Sequence, residues 1–435
     1  MGAHLLKLLP LGLQHVLAMY GGAVVVPLIV GAALNLSSEQ LTVLISADLL
    51  TCGLASLLQV IRNPYFGVGL PVILGCTFAA VAPLILIGKT YGMQTVYGSV
   101  IVAGIVVVLI ASFFGKLLRF FPPVVTGSVV TIIGMTLIPV AMTSMLGAPD
   151  SADFGSLINL FLGFEVLGSI ILIHRLFKGF VRSIAVLLGI VIGTCTALLL
   201  GKVDLSPVWQ ASWFHITRPF YFGTPVFSLG PILTMTMVAI VSLVESSGVF
   251  LALAKICDKE LTPLQLVKGY RAEGLAIVLG GALNSFPYTT FSQNVGLVQL
   301  SGVKSLNVIC TAATMLVVLG FLPKIATIAI LIPTAVLGGA MVAMFGMVAA
   351  AGIKMLSEVN FRKNENLLII GCSLALGLGV STVPNFCAAL PAGLRILFDN
   401  GIVAGTLSAV LLNLFFHHGT SVRRRFFPPK TDRQR

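Results

Sequence analysis

The groups in this chain that could do chemistry stand where charge and amides are expensive. Glu245 lies in Ser242-Leu243-Val244-Glu245-Ser246-Ser247-Gly248, and Gln293 lies in Asn284-Ser285-Phe286-Pro287-Tyr288-Thr289-Thr290-Phe291-Ser292-Gln293-Asn294-Val295-Gly296-Leu297, both amid long apolar surroundings. A carboxylate at the centre of a bilayer costs about 2.5–3.5 kcal/mol on insertion scales, so it is kept only with a partner, with water, or as the neutral acid. Ionised, it accepts from two N–H groups, while a glutamine amide offers one donor face and one acceptor face. With Phe78 and Phe291 as flat apolar surface, the set suits a planar heterocycle showing alternating N–H and C=O, such as an oxidised purine. The bland reading of Glu245 is a helix-to-helix hydrogen bond. Phosphates and sugars fit poorly, since no basic residue or Gly-x-Gly-x-x-Gly cradle is near.

The elements that must position these groups are membrane spans. Of 435 residues, 57% are hydrophobic and 9% charged, and apolar runs near the ~20 residues that cross hydrocarbon recur throughout. The 45 glycines fit this class, because small residues let helices approach closely in lipid. Fourteen spans are delimited, at roughly residues 11–33, 41–61, 66–88, 93–114, 121–143, 155–174, 183–201, 229–252, 272–286, 287–303, 305–323, 325–353, 366–384 and 401–417. The net charge of +12 then sorts by side: 21 basic residues, among them Lys7, Arg62, Arg119, Lys268, Arg271, Lys354 and the tail from Arg423 to Arg435, fall on one side. Only Lys89, Lys202, Arg218, Lys324 and Arg395 fall on the other. The positive-inside rule puts both termini in the cytoplasm. The basic charge is therefore topology and lipid anchoring, not affinity for nucleic acid.

Seven scattered cysteines form no Cys-x-x-Cys and stand near no histidine at ligand spacing, which reads as apolar packing. The first apolar run continues into a full span, so no cleavable leader is expected. His15, in Gln14-His15-Val16, is either a core residue bonded to a neighbouring carbonyl or a proton carrier. Asp48 and Glu165 have no polar neighbours in sequence and read as ties between helices, and Glu273 reads as a partner for Arg271 or Lys268 near a span end.

Two spans are broken. Gly67-Val68-Gly69-Leu70-Pro71, Gly75 and Pro83 leave the third without a ten-residue helical run, with an extended piece expected over residues 74–80. The stretch from Asn284 to Leu297 has the same character, and the two share Thr-Phe at Thr77-Phe78 and Thr290-Phe291. Interrupted spans in corresponding positions of two halves point to a transporter's binding site. A shift of 212 aligns Pro123–Met135 with Ala335–Met347 at five of thirteen positions. Segments seven spans apart cross in opposite directions, so two inverted seven-span halves follow. An enzyme would need a nucleophile with its base or a metal cluster; neither is present in the pattern.

The segment Gln293-Asn294-Val295-Gly296-Leu297-Val298-Gln299-Leu300-Ser301-Gly302 resembles the signature of the nucleobase–ascorbate transporter family, Gln/Glu/Pro-Asn-x-Gly-x-x-x-x-Thr-Arg/Lys/Gly. Gln14-His15, Thr77-Phe78, Glu245 and Arg271-Ala272-Glu273-Gly274 also fall where family motifs fall. Within the family the chain is similar to bacterial xanthine permeases, with uric acid permeases as close relatives.

The resemblance implies an all-α polytopic membrane protein of fourteen transmembrane segments as two inverted seven-span repeats, with short extended segments in spans 3 and 10. It implies a cytoplasmic N-terminus over 1–10, a core domain over 11–115 and 229–323, a gate domain over 116–228 and 324–417, and a basic cytoplasmic tail over 418–435. The implied activity is proton-coupled import of xanthine, or of uric acid, by a symporter of the cytoplasmic membrane. No cofactor beyond the proton is implied, and the implied partners are purine, lipid and a second copy in a homodimer. Substrate-binding roles pass to Glu245, Gln293, Phe78, Phe291, Thr77 and Asn294, and proton-coupling roles to Glu245, His15 and Glu273. Ser301 stands where threonine is usual, which keeps the hydroxyl, and Glu273 where aspartate is commoner. Ser246 and Val249 occupy histidine positions of uracil carriers, so a relay through imidazoles at those positions is absent.

Overall fold

A computed structural model describes residues 2–61, 63–117, 121–149, 151–383, 386–391, 395 and 398–418. The basic tail, from residue 419 onward, lies outside the described residues, as do Arg62 and Arg119. The chain runs α1 (Gly2–Ala33), α2 (Ser38–Val60), β1 (Leu74–Cys76), a 3-10 turn (Phe78–Ala80), α3 (Val81–Tyr91) and α4 (Met93–Leu117). It continues through α5 (Pro123–Met145), α6 (Leu157–Leu176), α7 (Phe180–Ser183), α8 (Ala185–Leu199), α9 (Ser206–Gln210), α10 (Leu229–Ile256) and α11 (Pro263–Ala282). There follow β2 (Tyr288–Thr290), α12 (Ser292–Ser301), α13 (Leu306–Gly320), α14 (Pro323–Ile330), α15 (Thr334–Leu356), α16 (Asn364–Thr382) and α17 (Gly401–Asn413), the last ending in a π turn at Leu414–His418. Among the described residues eight helices are long and apolar enough to cross a membrane, and the pair α13–α14, bent by 82°, makes nine. The protein is a helical, multi-pass membrane protein.

Local chemistry sets the helix ends. Ser37 opens α2 with a capping box: its hydroxyl accepts from Gln40 N, and Gln40 Oε1 accepts from Ser37 N at 3.0 Å. Thr262 and Gln265 repeat the device on α11, with Pro263 in the first turn where its missing N–H is not needed. That cap starts the helix at Pro263, not near residue 272 as expected, and places Lys268 and Arg271 inside it. Arg271 donates to Ser112 Oγ at 2.8 Å, and among the described residues neither Glu273 oxygen has a hydrogen-bond partner, so the expected pairing of Glu273 with Arg271 or Lys268 does not form.

Three other boundaries differ from expectation. A full helix, α3, follows the break in the third span, because Pro83 occupies its third residue, where the N–H has no intrahelical acceptor to lose. The expected twelfth span divides at Leu331–Pro333: α14 is a separate short helix packed on α2 and α13, and α15 starts after Pro333. At the other end of the chain, α1 is already helical from Gly2 rather than from residue 11.

The helices pack as α4 on α11, α2 on α13 and α11, and α1 on α13. Separately, α5 lies against α15, α6 against α8 and α15, and α16 and α17 against each other and against α5. Contacts as close as the last set need glycine. A Cβ at Gly339 would meet the carbonyl oxygen of Gly163 in α6, and one at Gly338 the backbone nitrogen of Met145 in α5. Since backbone cannot step aside as a flexible side chain can, Gly339→Ala is expected to destabilise the protein by about 1–3 kcal/mol. The measurement is the midpoint of thermal unfolding in detergent; an unchanged midpoint would show that α15 and α6 can separate without loss.

Candidate functional site

β1 and β2 form one antiparallel pair, in the register Leu74 to Thr290, Gly75 to Thr289 and Cys76 to Tyr288. The expected extended piece is thus a three-residue strand followed by a 3-10 turn. Backbone groups at its ends are also satisfied: Phe291 N donates to Ile73 O at 2.8 Å, Thr77 N to Pro287 O at 3.0 Å, and Leu74 N to Ser56 Oγ at 3.0 Å. Each strand runs directly into a helix start, the 3-10 turn and α3 after β1, and α12 after β2. Two helix N-termini, with their partial positive charge, therefore flank the strand pair.

In front of this pair is a cavity of about 30 Å³, room for about one water molecule. Phe78, Glu245, Phe291 and Gln293 all line it, from the turn after β1, from α10 and from the start of α12. The opposite wall is apolar: Val130 and Ile133 of α5 and Val348 of α15. Glu245 has no hydrogen-bond partner among the described residues, and Gln293 Oε1 has only the Ser292 hydroxyl at 3.4 Å. Phe78 packs edge-on against Phe345 of α15, with ring centroids 5.4 Å apart. Glu245 also borders a second, smaller apolar cavity between Val241, Val244, Thr126, Phe121 and Met355. Sequence reasoning did not mark Thr289, Thr290 or Cys76 as part of the wall; the hydroxyl run around Thr289 was visible, but which of its residues face forward depends on the strand register.

Four of the expected site residues stand behind the wall. Thr77 is buried, and its Oγ1 accepts from Ala79 N and from Ser242 Oγ, each at 3.3 Å, so it caps the 3-10 turn and ties it to α10. Asn294 donates through Nδ2 towards His15 Nδ1 at 3.1 Å and to His15 O at 3.2 Å, joining α12 to α1, while its Oδ1 has no partner among the described residues. His15 is itself buried. Glu273 is fully buried on α11. The neighbouring Ser246 of α10 connects forward to β2, with its Oγ 3.1 Å from Thr289 Oγ1 and accepting from Thr290 N at 3.3 Å.

The two other intramembrane carboxyls behave differently from each other. Glu165 accepts from Thr196 at 2.7 Å and so ties α6 to α8, as expected. Asp48 does not lack polar company: Cys76, Ser285 and Tyr288 all bond it, residues remote in sequence that folding brings together.

A family model described as "Permease family" (Xan_ur_permease) matches residues 6–386. The chain is 62% identical over 413 residues to the nucleobase transporter PlUacP of Paenibacillus larvae, covering 95% of each protein. It is 59% identical over 411 residues to a xanthine permease of Bacillus subtilis, covering 94% of each, and 58% identical over 411 residues to the uric acid permease PucK of the same organism, covering 94% of this chain and 96% of that one. Among solved structures, the transmembrane domain of a cyanobacterium bicarbonate transporter, BicA, superposes with a TM-score of 0.61 at 15% identity over 94% of this chain and 98% of that domain, a likeness of fold. By sequence, then, this chain belongs to the Xan_ur_permease family and is a membrane transporter, not an enzyme.

Proposed function

We propose that the protein is a proton-coupled symporter that imports xanthine across the cytoplasmic membrane by alternating access, with uric acid as the alternative substrate. The observation that carries this reading is that Glu245 and Gln293, neither held by a strong internal partner, face one cavity together with Phe78 and Phe291. The carboxylate accepts N–H groups from one edge of the purine, the amide pairs with a neighbouring N–H and C=O, and the phenyl rings cover the faces. The helix N-termini beside the strands favour the carbonyl oxygens. Relatives named for xanthine and for uric acid, at 59% and 58% identity, support the purine class equally.

A bicyclic ring needs more room than the cavity offers, so its two walls must part. The reading assigns α1–α4 and α10–α13 to a core that grips the substrate and α5–α8 and α15–α17 to a gate; packing favours counting α14 with the core, because it rests on α2 and α13. The reading counts the eight long apolar helices, the bent pair, three shorter apolar helices, α11 and the β2–α12 segment as fourteen crossings of two inverted halves. The asymmetry of basic residues supports cytoplasmic termini, and a homodimer is kept as the family resemblance implies.

His15 and Asn294 offer a way for protonation to reach the site. Neutral His15 can accept from the Asn294 amide at Nδ1; protonated, that nitrogen becomes a donor, and the match is restored only if Asn294 turns its unpartnered Oδ1 towards it. Such a turn also gives up the bond from Nδ2 to His15 O, so protonation loosens the tie between α1 and the start of α12, where Gln293 stands. Glu273, behind Ser246 and β2, is the third group of the coupling set.

In proteoliposomes, an inward proton gradient is expected to drive accumulation of labelled xanthine, with loss of accumulation on adding a protonophore; uptake indifferent to the gradient would remove the coupling. Competition by urate in the same assay ranks the two purines. Gln293→Glu and Glu245→Gln are each expected to weaken purine binding by about 5- to 150-fold, the equivalent of ~1–3 kcal/mol for one lost buried partner. Wild-type affinity in both variants, measured by ligand-induced thermal shift, would show that the purine binds elsewhere.

A further inference from the structure

Behind the strand pair, on the side away from α5 and α15, the fold buries a carboxyl group that the transport reading leaves unused. Asp48, midway along α2, is 1% exposed. Its Oδ1 accepts from the Tyr288 hydroxyl at 2.7 Å, the Ser285 hydroxyl at 2.8 Å and the Cys76 thiol at 2.7 Å. The Cys52 thiol stands 3.8 Å from Oδ2, and the Tyr288 and Ser285 oxygens are 2.6 Å apart. Cys76 and Tyr288 are directly opposite one another in the strand register. A single carboxyl oxygen thus holds both strands at one rung, and through Ser285 it also holds the approach to β2.

The strands need such a clamp. A pair of isolated short strands is marginal by itself, and a slip of one residue turns every side chain to the opposite face. Here that slip would withdraw Thr289 from the cavity and shift Phe291 and Gln293, which follow β2 within three residues. Three donors converge on one oxygen, and a carboxyl oxygen is a group with the acceptor capacity to hold several of them at once.

We propose that Asp48 is the positioning residue of the substrate cavity: by bonding Cys76, Tyr288 and Ser285 from α2, it sets the register and depth at which Phe291 and Gln293 meet the ligand. The inference rests on the reading of that cavity as the purine site. Asp48→Asn keeps the shape and one carbonyl oxygen, but makes that oxygen a neutral amide acceptor and turns the other oxygen into a donor beside the Cys52 thiol, while Tyr288→Phe removes one of the three donors and keeps the ring. In whole cells or proteoliposomes, each variant is expected to raise the KM for the purine that the wild-type chain transports, by about ten-fold or more for Asp48→Asn, with the maximal rate retained. The double variant is expected to fall short of the product of the single effects, because both act on one network. If Asp48 merely filled space, yield and melting temperature would drop while KM stayed at the wild-type value. Wild-type KM in both folded variants overturns the proposal, and if Asp48→Asn fails to reach the membrane, Tyr288→Phe alone decides it by the same criterion. Absence of purine uptake by the wild-type chain removes the site reading and this proposal together, whereas wild-type uptake with unmoved KM counts against Asp48 only.

Discussion

Within hydrocarbon there is no water to take up a free N–H or C=O, and each one left alone costs several kcal/mol. A chain that interrupts two of its crossings there must find partners for both breaks. This protein pairs the breaks with each other: Leu74–Cys76 and Tyr288–Thr290 exchange backbone bonds, and Ser56, Ile73 and Pro287 close the ends. Much of the site depends on that pairing. It brings segments more than 200 residues apart to one point, it sets two helix starts beside the cavity, and it decides which hydroxyls face that cavity.

Around the strands the polar side chains form layers rather than a single cluster. Asp48 with Ser285 and Tyr288 lies on the α2 side, Thr77 with Ser242 and Ser246 with Thr289 bind the pair to α10, and Asn294 fastens α12 to His15 of α1. Each satisfied group fixes a neighbour, so Glu245 and Gln293 reach the cavity without spending their hydrogen bonds on holding the wall in place. Glu245 and Gln293 are left with capacity for a ligand. The facing wall of Val130, Ile133 and Val348 brings only apolar contact, a surface that can separate without stranding a buried donor or acceptor.

The close approaches among α5, α6 and α15 belong to the same economy of space. Helices in lipid gain nothing from excluding water, so they associate by packing and must come near. Gly338 and Gly339 set backbone against backbone there, while the face that this group of helices turns to the strands is apolar, with Val130, Ile133 and Val348.

Composition and pattern alone determined the membrane class and the two broken segments, and marked Glu245, Gln293 and the two phenylalanines that the fold brings to one cavity, because hydrophobic length and the cost of polar groups in lipid are properties of the local chain. The ends of α3, α11 and α15 were less legible, since a proline can begin a helix as readily as stop one and the deciding cap at Thr262 lies outside the apolar run. Whether Thr77 and Asn294 touch the cavity or stand behind it, and whether Asp48 is isolated or at the centre of a network, was decided only by tertiary structure. A hydrogen bond between residues 48 and 288, or 15 and 294, leaves no periodic trace in sequence: it exists because two strands meet in one register, and a register is a relation between distant segments, not a property of either.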